Sequence, residues 1–184
     1  RDFEYRISCP NPHRFRFWKT TIWDDEAVAR ALKILWYYER IASLWQRGEV
    51  ILGVDEKPNL QVLERHIQPM RAGQIERQEF TYARHGTINL LVGLTLYNGH
   101  MGSECLPKND GEHFRPALCR LLHPYSWATR IHLIMDNWSS HISGDTADFL
   151  AELSPRVHVL LTPANASWLN QAEALLEAFS ERYL

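Results

Sequence analysis

The residue types best placed to do chemistry in this chain are three acids. Asp55 ends the apolar run Val50-Ile51-Leu52-Gly53-Val54, Asp136 ends a second run, Ile131-His132-Leu133-Ile134-Met135, and Glu173 lies in Ser167-Trp168-Leu169-Asn170-Gln171-Ala172-Glu173 at the start of the last helical pattern. A carboxylate delivered to the end of a buried strand calls for a cation. A single aspartate there is ordinarily a turn or cap residue, but two such endings plus an acid on a helix point to convergence. Magnesium is held by a few carboxylates, because it keeps several waters and takes substrate phosphate oxygens as well. Two such ions roughly 3.5–4 Å apart assist phosphoryl transfer, one preparing the attacking oxygen and one the leaving oxygen. In that arrangement Asp55, on the central strand, is the bridging ligand. Asp136 joins it from the neighbouring strand and Glu173 closes the site from the helix. Leu169, Ala172, Leu176 and Phe179 form that helix's buried stripe, with Glu173 on its border and Ser167 as N-cap.

Other polar residues carry blander readings. Glu56, Glu64, Glu104, Asp110, Glu112, Asp145 and Glu177 read as surface charge, and none of the nine histidines shows an HxxxH spacing. His141, five residues past Asp136, either orients water or phosphate or makes a structural hydrogen bond; His132 and His158 read as structural. Trp168 and Asn170 flank Glu173, where they either shape the pocket or touch a base, Trp168 being equally readable as core. Cations that suit phosphate are Arg14, Arg16 and Lys19 in the N-terminal stretch and Lys57, Arg65 and Arg84 around the acids. Such contacts dominate DNA affinity and make it fall with salt.

The elements that position these residues are legible from periodicity. Residues up to about 20, with Pro10, Pro12 and the alternating Arg14-Phe15-Arg16-Phe17-Trp18-Lys19, read as an extended linker or edge strand. From Asp24 to about Gln46 the pattern is helical, with Val28, Ala31, Leu32, Leu35, Tyr38, Ala42 and Trp45 on one stripe and Asp24, Asp25 and Glu26 as cap and dipole partners. The Asp55 strand follows and ends before Pro58, and the polar stretch after it reads as a long loop or irregular hairpin. Ile88, Leu90, Val92, Leu94 and Leu96 alternate along one strand, and Asn98-Gly99 predicts a type I′ turn into a return strand over about 100–106. Then come a helix over about 111–122, the Asp136 strand, a helix near 145–153, the strand Val157-His158-Val159-Leu160-Leu161 and the closing helix. A hairpin followed by strands separated by helices predicts an α/β domain of three layers, a mixed sheet with helices on both faces. Residues 1–49 read as linker and N-terminal helix, and 50–184 as the catalytic unit.

With 184 residues and 45% apolar content the chain can bury a sizeable core. No apolar run approaches the ~20 residues of a spanning helix, and the N-terminus lacks a signal-peptide pattern, so a soluble, cytoplasmic protein without membrane contact is expected. Cys9, Cys105 and Cys119 show no CxxC spacing and are expected to be buried or half-buried thiols. A formal charge of -2 argues against a wholesale nucleic-acid coat but leaves room for a locally basic face. The chain begins at Arg1 rather than Met and ends inside a helical pattern, so it is expected to be a fragment of a longer protein.

Several multi-residue blocks occur together: Asp55-Glu56-Lys57-Pro58 with Gln61-Val62-Leu63-Glu64-Arg65, Arg84-His85-Gly86-Thr87, Met135-Asp136-Asn137 with His141, and Thr162-Pro163 with Ala166 to Glu173. In this order the sequence resembles the catalytic domain of bacterial insertion-sequence transposases of the mariner-like superfamily, from about Arg14 to Leu184. The resemblance implies a ribonuclease-H-like fold and a DDE triad on Asp55, Asp136 and Glu173. It implies DNA cleavage at element ends and joining of the 3′ hydroxyl to double-stranded target DNA, usually at TA, with Mg or Mn, two ions when DNA is bound. It also implies a homodimer at work, nucleoid association when DNA is bound, and an N-terminal helix-turn-helix region that this chain lacks, so that end recognition by the chain alone is expected to be poor. Two alternatives stay open: a ribonuclease-H-like nuclease that does not join strands, and a domesticated, non-catalytic DNA-binding module.

Overall fold

The computed structural model describes residues 22–64, 67–68, 72–73, 77–78, 81–136 and 144–183. Its centre is a five-stranded sheet. The strands are β1 (Glu49–Glu64), β4 (Ala83–Thr95), β5 (Met101–Leu106), β6 (Arg130–Met135) and β7 (Val157–Leu161), in the order β5-β4-β1-β6-β7. The short pieces β2 (Ile67–Gln68) and β3 (Arg77–Gln78) pair separately. β4 runs antiparallel to both β1 and β5, while β6 is parallel to β1 and to β7. This is the expected mixed sheet, hairpin on one side and helix-separated parallel strands on the other.

The two-residue alternation of a strand assigns its faces. Val50, Leu52 and Val54 of β1 and Ile131, Leu133 and Met135 of β6 enter a core built with Phe114, Ala117, Leu118 and Leu121 of the helix α3 (Gly111–Leu122). Phe149 and Leu150 of the helix α4 (Asp145–Glu152) pack against the same core. Ile51, Ile134 and Leu160 face the other way, onto Ile34 and Tyr37 of α1 (Asp25–Tyr38) and Leu44 of α2 (Ile41–Gln46). The closing helix α5 (Gln171–Tyr183) is preceded by a 3-10 turn, Ser167–Leu169. Among the described residues no helix is long and apolar enough to cross a membrane.

Four details depart from the sequence-based expectation. The single helix over 24–46 is two, broken at Glu39–Arg40, and the inner stripe of α1 is Ala27, Ala31, Ile34 and Tyr37. Small alanines let α1 lie close, Ala31 meeting Ala166 and Leu169, and turn Val28, Leu32 and Leu35 outward. Asp24 does cap this helix, accepting from the Ala27 N–H at 2.7 Å.

β1 does not stop before Pro58 but continues to Glu64, still paired with β4. The ladder absorbs the proline by a register shift between Lys57 and Leu60: Asn59 takes φ 59°, and its N–H goes to the Asn89 side chain at 2.9 Å instead of to a strand partner.

The turn after β4 is not the two-residue type I′ form, since Gly99 has φ 69° but Asn98 keeps a negative φ. The Gly99 N–H returns to the Thr95 carbonyl at 2.9 Å, and the Leu96 N–H reaches the Ile51 carbonyl at 3.1 Å, so a longer loop is docked against β1. Finally, Cys105 and Cys119 are exposed rather than buried.

Candidate active site

The pairing of β1 with β6 decides where the two aspartates meet. Gly53 stands opposite Ile134 in parallel register. Two residues further along are Asp55, still within β1, and Asp136, one residue past the end of β6, so the register brings both to the same end of the parallel pair. Alternation sends the Asp55 side chain to the face shared by Ile51, Gly53 and Ile134. That is the face α5 covers: the Asn170 amide donates to the Val54 carbonyl at 2.7 Å, and Ala172 lies against Gly53. Glu173 is the next residue.

The electrostatics agree with this placement. Burial pushes the Asp55 carboxyl up to about 6, and the negative charges of Asp136, Glu173 and Glu56 push in the same direction, opposed by the Glu56 N–H that Asp55 accepts at 2.9 Å. Asp55 therefore senses both other acids of the proposed trio. Glu173, half-buried, accepts from the Ser167 hydroxyl at 2.9 Å, and its N–H goes to the Asn170 carbonyl at 3.1 Å. Among the described residues no group of three or more His, Cys, Asp or Glu side chains is arranged so that it could hold a metal ion. The acids share a field rather than a finished coordination sphere. For a hard cation that keeps its waters this donor set still fits, because one or two carboxylates suffice when phosphate oxygens complete the shell.

Ser167 does not cap α5. The cap is Asn170, which is extended, and whose Oδ1 accepts from the Ala172 N–H at 3.2 Å. Leu169, Ala172 and Leu176 are buried as the stripe predicts, whereas Phe179 is exposed. Trp168 is 61% exposed, which removes its reading as core. Asn170, at 1% exposure, is sealed beneath the site and is out of reach of a base.

Lys57, two residues past Asp55, is half-buried. Arg84 pairs with Leu63, eight residues beyond Asp55 along β1, so it lies about 26 Å away on the outer hairpin rather than around the acids. Arg14, Arg16, Lys19, Arg65 and His141 fall outside the described residues.

Two contributors escaped sequence reading. Gly53 admits the Asn170 side chain, and its only signal was a glycine inside a buried apolar strand. Tyr38 donates its hydroxyl to the Leu169 carbonyl, so α1 buttresses the turn that leads into Glu173. Burial raises the Tyr38 phenol to about 12, which keeps it a donor at any ordinary pH.

A family model described as DDE superfamily endonuclease matches residues 50–184. The chain belongs to this family. The solved structures similar to this endonuclease domain include the Mos1 strand transfer complex, at 21% identity and TM-score 0.52 over 92% of this chain and 52% of that one. They also include the Mos1 transposase paired-end complex with the left transposon end, at 18% identity and TM-score 0.52 over 89% and 53%. A third is the mariner Mos1 paired-end complex with Mg, at 16% identity and TM-score 0.52 over 90% and 53%. At these identities they show the fold, which is ribonuclease-H-like. This chain spans about half the length of the transposase chains it matches. No curated protein is similar enough in sequence to count as a relative.

Proposed function

We propose that this chain is the catalytic domain of a DNA transposase, in which Asp55, Asp136 and Glu173 hold divalent Mg or Mn, two ions when DNA is bound. What supports the reading is the electrostatic coupling of the three acids: Asp55 on β1, Asp136 just past the neighbouring parallel strand and Glu173 on the helix start packed against β1, with the charges of Asp136 and Glu173 adding to the burial that raises the Asp55 carboxyl. A cation relieves that repulsion. When bound, such ions polarise the phosphate and stabilise the attacking and leaving oxygens.

The chain's own groups supply the rest. The strands fix Asp55 and Asp136 and so fix where the scissile phosphate must lie. Ser167 holds Glu173 against one rotamer, Trp168 offers an exposed ring, and Lys57 offers a cation for a flanking phosphate. The Mos1 structures, captured with transposon ends and in a strand transfer complex, support double-stranded DNA as substrate and joining as the outcome, with a TA-containing target and a homodimer as part of the proposal.

The test is a strand-transfer assay with a pre-cut 3′ end in Mg2+ or Mn2+. Joined product supports the transposase. Hydrolysed strands without joined product support the nuclease alternative, and the absence of both, together with no metal binding in the presence of DNA, supports the non-catalytic module.

A further inference from the structure

Asn170 is 1% exposed and uses both ends of its amide. Nδ2 donates to the Val54 carbonyl of β1 at 2.7 Å, and Oδ1 caps α5 through the Ala172 N–H at 3.2 Å. One side chain thus ties the residue before Asp55 to the residue before Glu173. The space it occupies exists only because position 53 is glycine: a Cβ there would stand 2.7 Å from Asn170 Oδ1, while its next neighbours, the Ala172 N–H and methyl, would be at 3.5 and 3.6 Å, ordinary contact.

The amide is therefore the tight point of the joint. A cap alone does not need asparagine, since serine caps as well. It is the second bond, across to the strand, that only a longer side chain with a donor can make.

We infer that Asn170 is a positioning residue that sets the spacing of Glu173 from Asp55, with Gly53 as the cradle that admits it. The inference rests on the metal-site reading above and adds a way of breaking the site without touching a ligand. Partners that orient metal ligands are worth 10–100-fold in metal affinity.

The experiment uses the whole chain and reads Mn2+ affinity by calorimetric titration well below the melting temperature, with thermal unfolding of the metal-free protein alongside. Asn170→Ser keeps the cap and removes the tie, so it is expected to retain a cooperative transition and to bind Mn2+ about tenfold more weakly. Gly53→Ala is expected to lose a similar factor by expelling the amide. The Gly53→Ala/Asn170→Ala double variant is expected to lose no more than Asn170→Ala alone, because the added methyl then meets nothing closer than ordinary contact. Asn170→Ser binding Mn2+ as the wild type does, or losses that simply add in the double variant, would overturn the inference. Asp136→Asn, run beside these, separates the two claims: if it too leaves Mn2+ binding intact, the metal-site reading is at fault, and if it abolishes binding while Asn170→Ser does not, only the role of Asn170 falls.

Discussion

The negative charge of Asp136, one residue past the end of β6, reaches the Asp55 carboxyl on β1 and helps to raise it, in the parallel register that sets Ile134 beside Gly53. Neither strand end alone makes a site; the shared register does. Because Asp136 follows a β6 whose apolar residues are fully buried, its replacement leaves the core untouched.

Asp136→Asn is accordingly expected to keep the fold and its melting temperature within a few degrees, and to reduce Mg-dependent strand cleavage by more than about a hundredfold, since even the outer partners of metal ligands are worth 10–100-fold. Circular dichroism and a cleavage assay on the same preparation check this. Cleavage at the wild-type rate would remove Asp136 from the site.

Stability should depend on pH through Asp55. Its folded-state value of about 6 lies above the ordinary aspartate value of 3.8, so the folded chain holds this proton more tightly than the unfolded one. The stabilisation this provides is complete below about 3.8 and is lost as pH rises through about 6. Asp55→Asn removes that loss. Measured by denaturant unfolding without metal, the variant should exceed the wild type by roughly 1–3 kcal/mol at pH 7.5, the gain shrinking towards pH 4. A difference that does not vary with pH would contradict burial, helped by the neighbouring acids, as the source of the raised Asp55 value.

Ser167→Ala deletes the hydroxyl that holds Glu173 but leaves the cap at Asn170 in place. Activity should fall about tenfold at limiting metal and recover in part at high metal, with unfolding little changed. A uniform loss at every metal concentration would show that the hydroxyl acts on something other than the metal ligand.

Lys57→Ala should weaken binding to double-stranded DNA uniformly across sequences and lower the salt slope of log affinity by about 0.9, the value for one phosphate contact. Fluorescence anisotropy across a salt series measures it. An unchanged slope would place Lys57 off the DNA path.

Much of the architecture was legible because its cues are short-range. The runs ending at Asp55 and Asp136 are apolar on both faces, as strands buried between helix layers must be, and α3 begins at Gly111 and ends at Leu122 as its periodicity indicates. What escaped depends on partners far along the chain. Proline at 58 argues for the end of a strand, but the Asn89 side chain, thirty residues away, lets the ladder resume. The stripe of α1 was misjudged by one position because apolar size suggested Leu32 and Leu35, whereas close approach to the turn at Ala166 selects alanine. Ser167 looked like the cap until the structure gave its hydroxyl to Glu173 and the cap to Asn170. The three acids themselves were visible as residue types, but that Asp136 and Glu173 lie near enough to act on the Asp55 carboxyl follows from a register no local pattern encodes.

The continuation of β1 beyond Asp55 gives the acid an unusual mechanical setting. The same ribbon that is clamped between β4 and β6 as far as Gly53 runs on to Glu64 as a two-stranded outrigger with β4. Asp55 sits at the root of that cantilever, so a load applied at its tip is delivered along the β1 backbone to the acid.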